Sequence, residues 1–358
     1  MKTGNMDLIR NINRQRVLDV IKHFQPVSRA VISRKLSLSR STVSMIVNDL
    51  IEDHSVVELG MGESTMNGGR KGTMLGFNPR SAFGIGIDLQ GGSSRIVLAD
   101  LDGNVTISHS FTFDRDLGKF KTLLKKFLSS LSDEMTHLVG IGISVPSIVK
   151  DHEIVVDAPS LGWQNLNLAE ELSDVTNLNL FTINDVNAAA FGERWLGQDR
   201  QIDNLFYLSI GTGVGSAIIA NGGWVSGADQ AAGEIGYMLE NKDVNQHDTY
   251  VVGQFGTFEK KVTSLLAAKK TTPEIRNELV TQLSVAFANI SSLLNPEKII
   301  IGGPYQQKLE PLIGEIQKKV QQYSPLPAEI AYSALGWDAA AIGALEGLYH
   351  YLRDQTIN

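Results

Sequence analysis

Apolar positions run at helical spacing through the front of the chain and gather into short strand-like runs behind it. From Asn11 to Phe24, Ile12, Val17, Leu18, Val20, Ile21 and Phe24 mark one helical face. Pro26 ends that helix, because proline and the residue before it resist right-handed helical geometry. Ser28 is placed to cap a second, short helix, Arg29 to Leu36, with Ala30, Val31 and Leu36 inward. After the tight turn Ser37-Leu38-Ser39, a third helix of roughly Arg40 to Asp53 carries Val43, Ile46, Val47, Leu50 and Ile51 as its apolar stripe. Val56 to Leu59 and Thr73 to Phe77 read as two strands around a Gly-rich tip, Gly60 to Gly72.

Beyond residue 80 the pattern changes. Ala82 to Ile87 is an apolar strand running into Asp88-Leu89-Gln90-Gly91-Gly92. Strands Arg95 to Asp100 and Val105 to Phe113 follow around Asp102-Gly103-Asn104, then a helix from Leu117 to Leu131 and a strand from Leu138 to Val145. The unit recurs at Leu205 to Ile210, Gly211-Thr212-Gly213, Val214 to Ala220 and the helices after it. This duplication predicts an α/β body of two lobes with a cleft between them. Between the two units, the strand Leu180 to Ile183 delivers Asn184 and Asp185 to the start of a small-residue helix. Further on, a helix from Pro273 to Leu294 packs under the strand Lys298 to Ile301, and Ala339 to Leu348 is a small-residue helix inside the body.

Composition narrows the class. A chain of 358 residues with 42% hydrophobic and 20% charged positions is expected to form two or three well-packed domains. No run of about 18 apolar residues suggests a membrane span. The polar start MKTGNMDLIRNINRQR lacks the apolar centre of a secretory signal. The absence of cysteine excludes disulfides and thiolate metal sites and fits a cytoplasmic location. Residues 1–80 hold 12 Lys and Arg against 7 Asp and Glu, a net of +5, so the remainder carries −12 of the overall −7. A basic front on an acidic body suits a nucleic-acid-binding arm on a ligand domain.

The front therefore reads as a winged helix-turn-helix over residues 1–80. The third helix presents Arg40, Ser41, Thr42, Ser44 and Asn48, short donors and acceptors suited to base edges and phosphates in a major groove. Arg70 and Lys71 would sit at the tip of the wing, against phosphates or a minor groove. The competing reading is a three-helix cap that packs on the body or serves oligomerisation.

The motifs together resemble the ROK family of sugar-responsive repressors and sugar kinases. PVSRAVISRKLSLSRSTVSMIVNDLIE and GGRKGTMLGFNP are similar to the arm of the family's repressors, which its kinases lack. GIGISVPSIV, INDVNAAAFGERW, GTGVGSAII, AAGEIGYM and IIIGGP follow in the family's order within 81–358. The resemblance implies a two-lobed, actin-like (ribonuclease H-like) body, the lobes spanning about 81–183 with the C-terminal helix and about 184–335. It implies a sugar held between the lobes by Asn184, Asp185, Glu234 and Glu259, with Tyr237 able to hydrogen-bond it. Trp163 could stack on a sugar ring, although core filling is the more ordinary role for it. A homodimer or dimer of dimers binding operator DNA is the expected assembly.

Two departures from the family pattern matter. Tyr237, Tyr250, Val252 and Thr257 stand where family members carry a histidine and three cysteines for structural zinc, so no metal cofactor is expected. Gln90 and Gly92 replace a glycine and a threonine of the kinase phosphate hairpin, which disfavours ATP. Sugar phosphorylation with Asp185 as general base is accordingly the second reading, behind a sugar sensor that regulates transcription. The segment Gly76 to Ser81 is the expected hinge between arm and body.

Overall fold

The computed structural model describes residues 3–62, 72–132, 137–198, 202–211, 213–244, 256–268, 270 and 272–357. The front holds three helices, α1 (Thr3–Phe24), α2 (Arg29–Leu36) and α3 (Arg40–Glu52), and an antiparallel sheet of β1 (Val27–Ser28), β3 (Thr73–Phe77) and β2 (Val56–Met61), in that spatial order. Val17, Ile21, Ile32, Val43, Val47, Leu50 and Leu75 are fully enclosed in its core. The helix α1 begins well before the periodic positions. Further along, surface ion pairs link Arg10 to Asp49 of α3 and Arg14 to Asp53 just after it. Arg70, Lys71 and the expected wing tip lie outside the described residues.

The body contains two five-stranded mixed sheets of the same design. In the first, β4 (Phe83–Asp88), β5 (Ser93–Asp100) and β6 (Val105–Thr112) form an antiparallel meander, and β7 (Leu138–Val145) and β11 (Asn179–Asn184) extend it in parallel beyond β4. The helix α4 (Leu117–Ser129) covers this sheet, while β8 (Val149–Lys150), β9 (Ile154–Ala158), β10 (Trp163–Asn167) and the short α5 (Leu168–Leu172) make a small side sheet and its cover. The helix α6 (Asp185–Leu196) leads to the second sheet. There β12 (Leu205–Ile210), β13 (Val214–Ala220) and β14 (Gly223–Trp224) are antiparallel, and β15 (Lys298–Gly302) and β16 (Glu329–Tyr332) add in parallel beyond β12. Helices α7 (Asn241–Val244), α8 (Thr257–Ala267), α9 (Pro273–Leu294), α10 (Gln306–Leu309) and α11 (Ile313–Tyr323) belong to this half, and α12 (Ala339–Ile357) returns to the first.

The duplicated order positions the site, because α6 and α12 form a seam between the sheets. Ala189 and Ala190 of α6 pack on Leu205, Tyr207 and Ala217 of the second sheet. Ala188 packs with Phe181, Ile183, Ala344 and Leu348 on the side of the first. The two helices cross so closely that a Cβ on Gly343 would meet the Ala188 carbonyl, and one on Gly192 the Ala339 carbonyl. Among the described residues no helix is long and apolar enough to cross a membrane.

The expected hinge is a bonded joint. Gly76 lies within β3, and Asn78 donates its backbone N–H to Ser55 and its side-chain amide to the His54 carbonyl, both in the front. On the body side, Leu101 N–H donates to the Pro79 carbonyl and the His137 ring contacts the Ser81 carbonyl at 2.6 Å. Leu101 packs against the front's core, and Lys22 of α1 pairs with Asp102 at 3.3 Å.

Candidate functional site

A cavity of about 70 Å³ opens between the sheets at the N-terminus of α6. Asn184, the last residue of β11, caps the helix: its Oδ1 accepts the N–H groups of Val186 and Asn187, both at 3.0 Å. Its Nδ2 donates to the Ser147 carbonyl and to Asp185, which leaves little of Asn184 unengaged. Glu234 closes the opposite side from the turn after β14. Partial burial and the neighbouring Glu259 push the Glu234 carboxyl above its ordinary range.

Asp185 is beside this cavity, not on its lining. Its Oδ1 accepts the Val186 N–H at 2.9 Å and the Asn184 amide at 3.2 Å, and its Oδ2 accepts the Gln90 amide at 3.1 Å. The same Gln90 nitrogen donates to Asp88 at 3.0 Å. Two carboxylates at the end of the first hairpin are thus bridged by one neutral amide. Asp88 is buried and also accepts the Ser144 hydroxyl at 2.7 Å; burial, with Asp185 nearby, pushes its carboxyl up to about 7. Burial raises Asp185 as well, and the bond from Gln90 opposes that rise. With Gln90 in place, much of the acceptor capacity of Asp185 is taken up within the protein.

Other expected ligand residues have different employment. Both carboxylate oxygens of Glu259 accept backbone N–H groups, Val214 at 2.9 Å and Gly256 at 3.2 Å. The residue braces the second hairpin against α8 and does not line the cavity, because its buried charge is consumed by buried donors. Trp163 is also corrected: it is 8% exposed in the core of the first lobe, edge-on to Phe113 at 5.6 Å, where the side sheet seals that core. Tyr237 is exposed on the turn after Glu234 and is absent from the cavity wall. Of the six expected ligand residues, Asn184 and Glu234 line the cavity together.

Residues that the motifs did not single out complete the wall: His152, Thr182, Asn187, Ser216, Trp224 and Gln230. The His152 ring stacks on Phe181 at 4.4 Å, and burial lowers its pKa. Asn187 stands in the run NDVNAAA as its second amide, at the third position of the helix. Nothing in the sequence indicated that it would face inward.

On the front, Arg40, Ser41 and Asn48 are exposed, with Thr42 and Ser44 half-buried. Ser39 caps α3 by accepting the Thr42 N–H at 3.1 Å, and the Thr42 hydroxyl lies 2.8 Å from the same oxygen. Asn48 Oδ1 accepts from Arg29, itself paired with Glu58. The inward face of α3 is wholly apolar, so these polar residues define its outer face.

The model of the ROK family matches residues 84–264, about half of the sequence. The chain belongs to the ROK family. Proteins similar to it include the xylose repressor of Bacillus subtilis, 26% identical over 96% of this chain and 96% of that protein. The xylose repressor of Caldicellulosiruptor bescii is 30% identical, with 90% of each chain covered. A glucokinase of Halalkalibacterium halodurans is 26% identical over 72% of this chain and 92% of its own length. Among solved structures, a ROK family transcriptional regulator described as a homolog of the Escherichia coli MLC protein shares the fold, with 24% identity, 98% of this chain and 99% of that chain covered, and a TM-score of 0.78.

Proposed function

We propose that this ROK protein is a sugar-responsive transcriptional repressor. Residues 1–80 form a winged helix-turn-helix that binds operator DNA, and an uncatalysed sugar effector bound in the cleft of the 81–358 body releases it. The observation that carries this reading is coverage. Relatives named xylose repressor align over front and body alike, whereas the glucokinase aligns over 72% of the chain. The outer face of α3, with Arg40, Ser41, Thr42, Ser44 and Asn48, is the recognition surface, and Arg70 and Lys71, outside the described residues, would add phosphate contacts. A homodimer would set two such arms on two half-sites.

Phosphoryl transfer is disfavoured by Gln90. A general base must offer a lone pair to the substrate hydroxyl, and Gln90 holds Asp185 against Asp88 instead. The reading also leaves the protein without the family's zinc, because Tyr237, Tyr250, Val252 and Thr257 supply neither imidazole nor thiolate. Elemental analysis of the purified protein is expected to find no stoichiometric zinc; one tightly held ion per chain would contradict this.

The route from cleft to arm runs along α6. Its N-terminus lines the cavity, and its last residues, Trp195 and Leu196, press on Gly103 in the β5–β6 turn, where an added Cβ would lie 2.7 Å from Leu196. Twelve residues of helix span about 18 Å. The same turn carries Leu101 and Asp102, which dock on the front. A ligand that moves α6 therefore moves the arm's seat, to the extent of its different affinity for the two arrangements. A mobility-shift assay of the full-length protein on the DNA upstream of its own gene tests the reading. Sequence-specific retardation that Arg40→Ala weakens at least tenfold is expected; retardation no stronger than on unrelated DNA would overturn it.

A further inference from the structure

Two buried polar atoms on the cavity wall have no hydrogen-bond partner: Asn187 Oδ1, an acceptor, and Trp224 Nε1, a donor. Leaving such groups unpaired costs about 1–3 kcal/mol each, so a site retains them where something else completes the bonds. Asn187 is 8% exposed and lies one turn before Phe191 on α6; the Phe191 ring meets the Trp224 indole edge-on at 6.4 Å. Acceptor and donor thus stand over the same stretch of helix. Ser216 serves neither: its one proton goes to the Gly233 carbonyl, which leaves none for Asn187, and its oxygen takes no bond from the Trp224 indole.

The rest of the wall restricts what can enter. Among the described residues lining the cavity there is no lysine or arginine, while Glu234 contributes a carboxylate. A phosphate or carboxylate group would meet no lysine or arginine and one repelling neighbour, and the first free amides of α6, at Val186 and Asn187, are already taken by Asn184. A hydroxyl group both donates and accepts, which suits a wall that holds one orphan acceptor and one orphan donor.

We propose that Asn187 and Trp224 form a hydroxyl-reading end of the cavity that determines which uncharged monosaccharide is bound. Asn187 Oδ1 accepts from, and Trp224 Nε1 donates to, ring hydroxyls that Asn184 and Glu234 do not serve. This rests on the sugar-sensor reading and adds to it the residues that set specificity and the exclusion of sugar phosphates.

The test is calorimetric titration of the full-length protein with D-xylose, D-glucose, the deoxy analogues of whichever binds, and glucose 6-phosphate. Trp224→Phe keeps an aromatic ring against Phe191 and removes only the N–H; Asn187→Leu removes the acceptor at similar volume. Each variant is expected to bind the preferred sugar at least about tenfold more weakly. For one deoxy analogue, already weak on the wild type, Trp224→Phe should cause no further loss. Glucose 6-phosphate should not bind. Wild-type affinity in a folded Trp224→Phe protein would show that waters alone complete these bonds and would overturn the proposal, whether or not Asn187→Leu folds. Equal loss for every sugar and analogue, or tight binding of the phosphate, would do the same. Failure of the wild type to bind any of these sugars would remove the sensor reading itself, and the proposal with it.

Discussion

Gln90 gives one amide nitrogen to two carboxylates, and the identity of the neighbouring groups decides what that bond does. In sequence, Gln90 reads as a bulky residue where a kinase hairpin wants glycine. In the structure it holds Asp88 and Asp185 together. Length and bulk are legible in a sequence; the direction of an amide is not. Asp88 offers a direct check. Its carboxyl titrates near 7 in the folded chain, against about 4 when unfolded. Between those values the folded state holds a proton that the unfolded chain has lost, so this group's contribution to stability falls as pH rises from about 4 to about 7. Asp88→Asn should remove that contribution: urea midpoints measured at pH 5 and pH 8 should lie closer together than in the wild type. An unchanged pH dependence would contradict it. By the family resemblance Glu259 reads as a sugar-holding glutamate, and nothing in the sequence marks it as a brace. Glu259→Ala strands the N–H groups of Val214 and Gly256 and should lower stability by about 2–4 kcal/mol in denaturant titration.

At the scale of elements, most of the chain followed its pattern. The three front helices, both hairpins, α9 and the strand after it lie where periodicity and turn residues place them. Periodicity works there because each element buries one face against a continuous core. It underestimates α1, which begins at Thr3, well before the first periodic position. The joint between front and body was read as slack because Pro79 and a nearby glycine suggest a link; the bonds from Ser55, His54, Leu101 and His137 are tertiary and leave no local signature. Gly103 is the sensitive point of this joint. Its φ of +79° and the contacts with Trp195 and Leu196 exclude a side chain. Gly103→Ala should destabilise the protein by about 1–3 kcal/mol and blunt the response of DNA binding to sugar. Lys22→Ala, which removes the partly exposed pair with Asp102, the bond to the Leu101 carbonyl and the contact with the Phe77 ring, should reduce the response at a cost of about 1 kcal/mol in stability.

The whole molecule joins a basic front to an acidic body at the bonded segment around Asn78 and Leu101, and the proposed response requires a ligand at one end of α6 to be felt at the turn that seats the front. The paired sheets were legible as a repeat, whereas the cavity between them was only half legible. Asn184 and Glu234 belong to recognisable runs, but Asn187 and Trp224 become site residues only once α6 and β14 are brought face to face. If the front binds DNA through phosphates as well as base edges, affinity should fall steeply between 50 and 200 mM salt, as counterion release requires (about 10³-fold for some six phosphate contacts). The most direct measurement is fluorescence anisotropy of the full-length protein on labelled DNA from upstream of its own gene, titrated with and without saturating D-xylose or the sugar identified by calorimetry. Specific binding that weakens at least tenfold when the sugar is present is the predicted result. Identical binding curves with and without a sugar shown to occupy the cleft would contradict a sugar-released repressor.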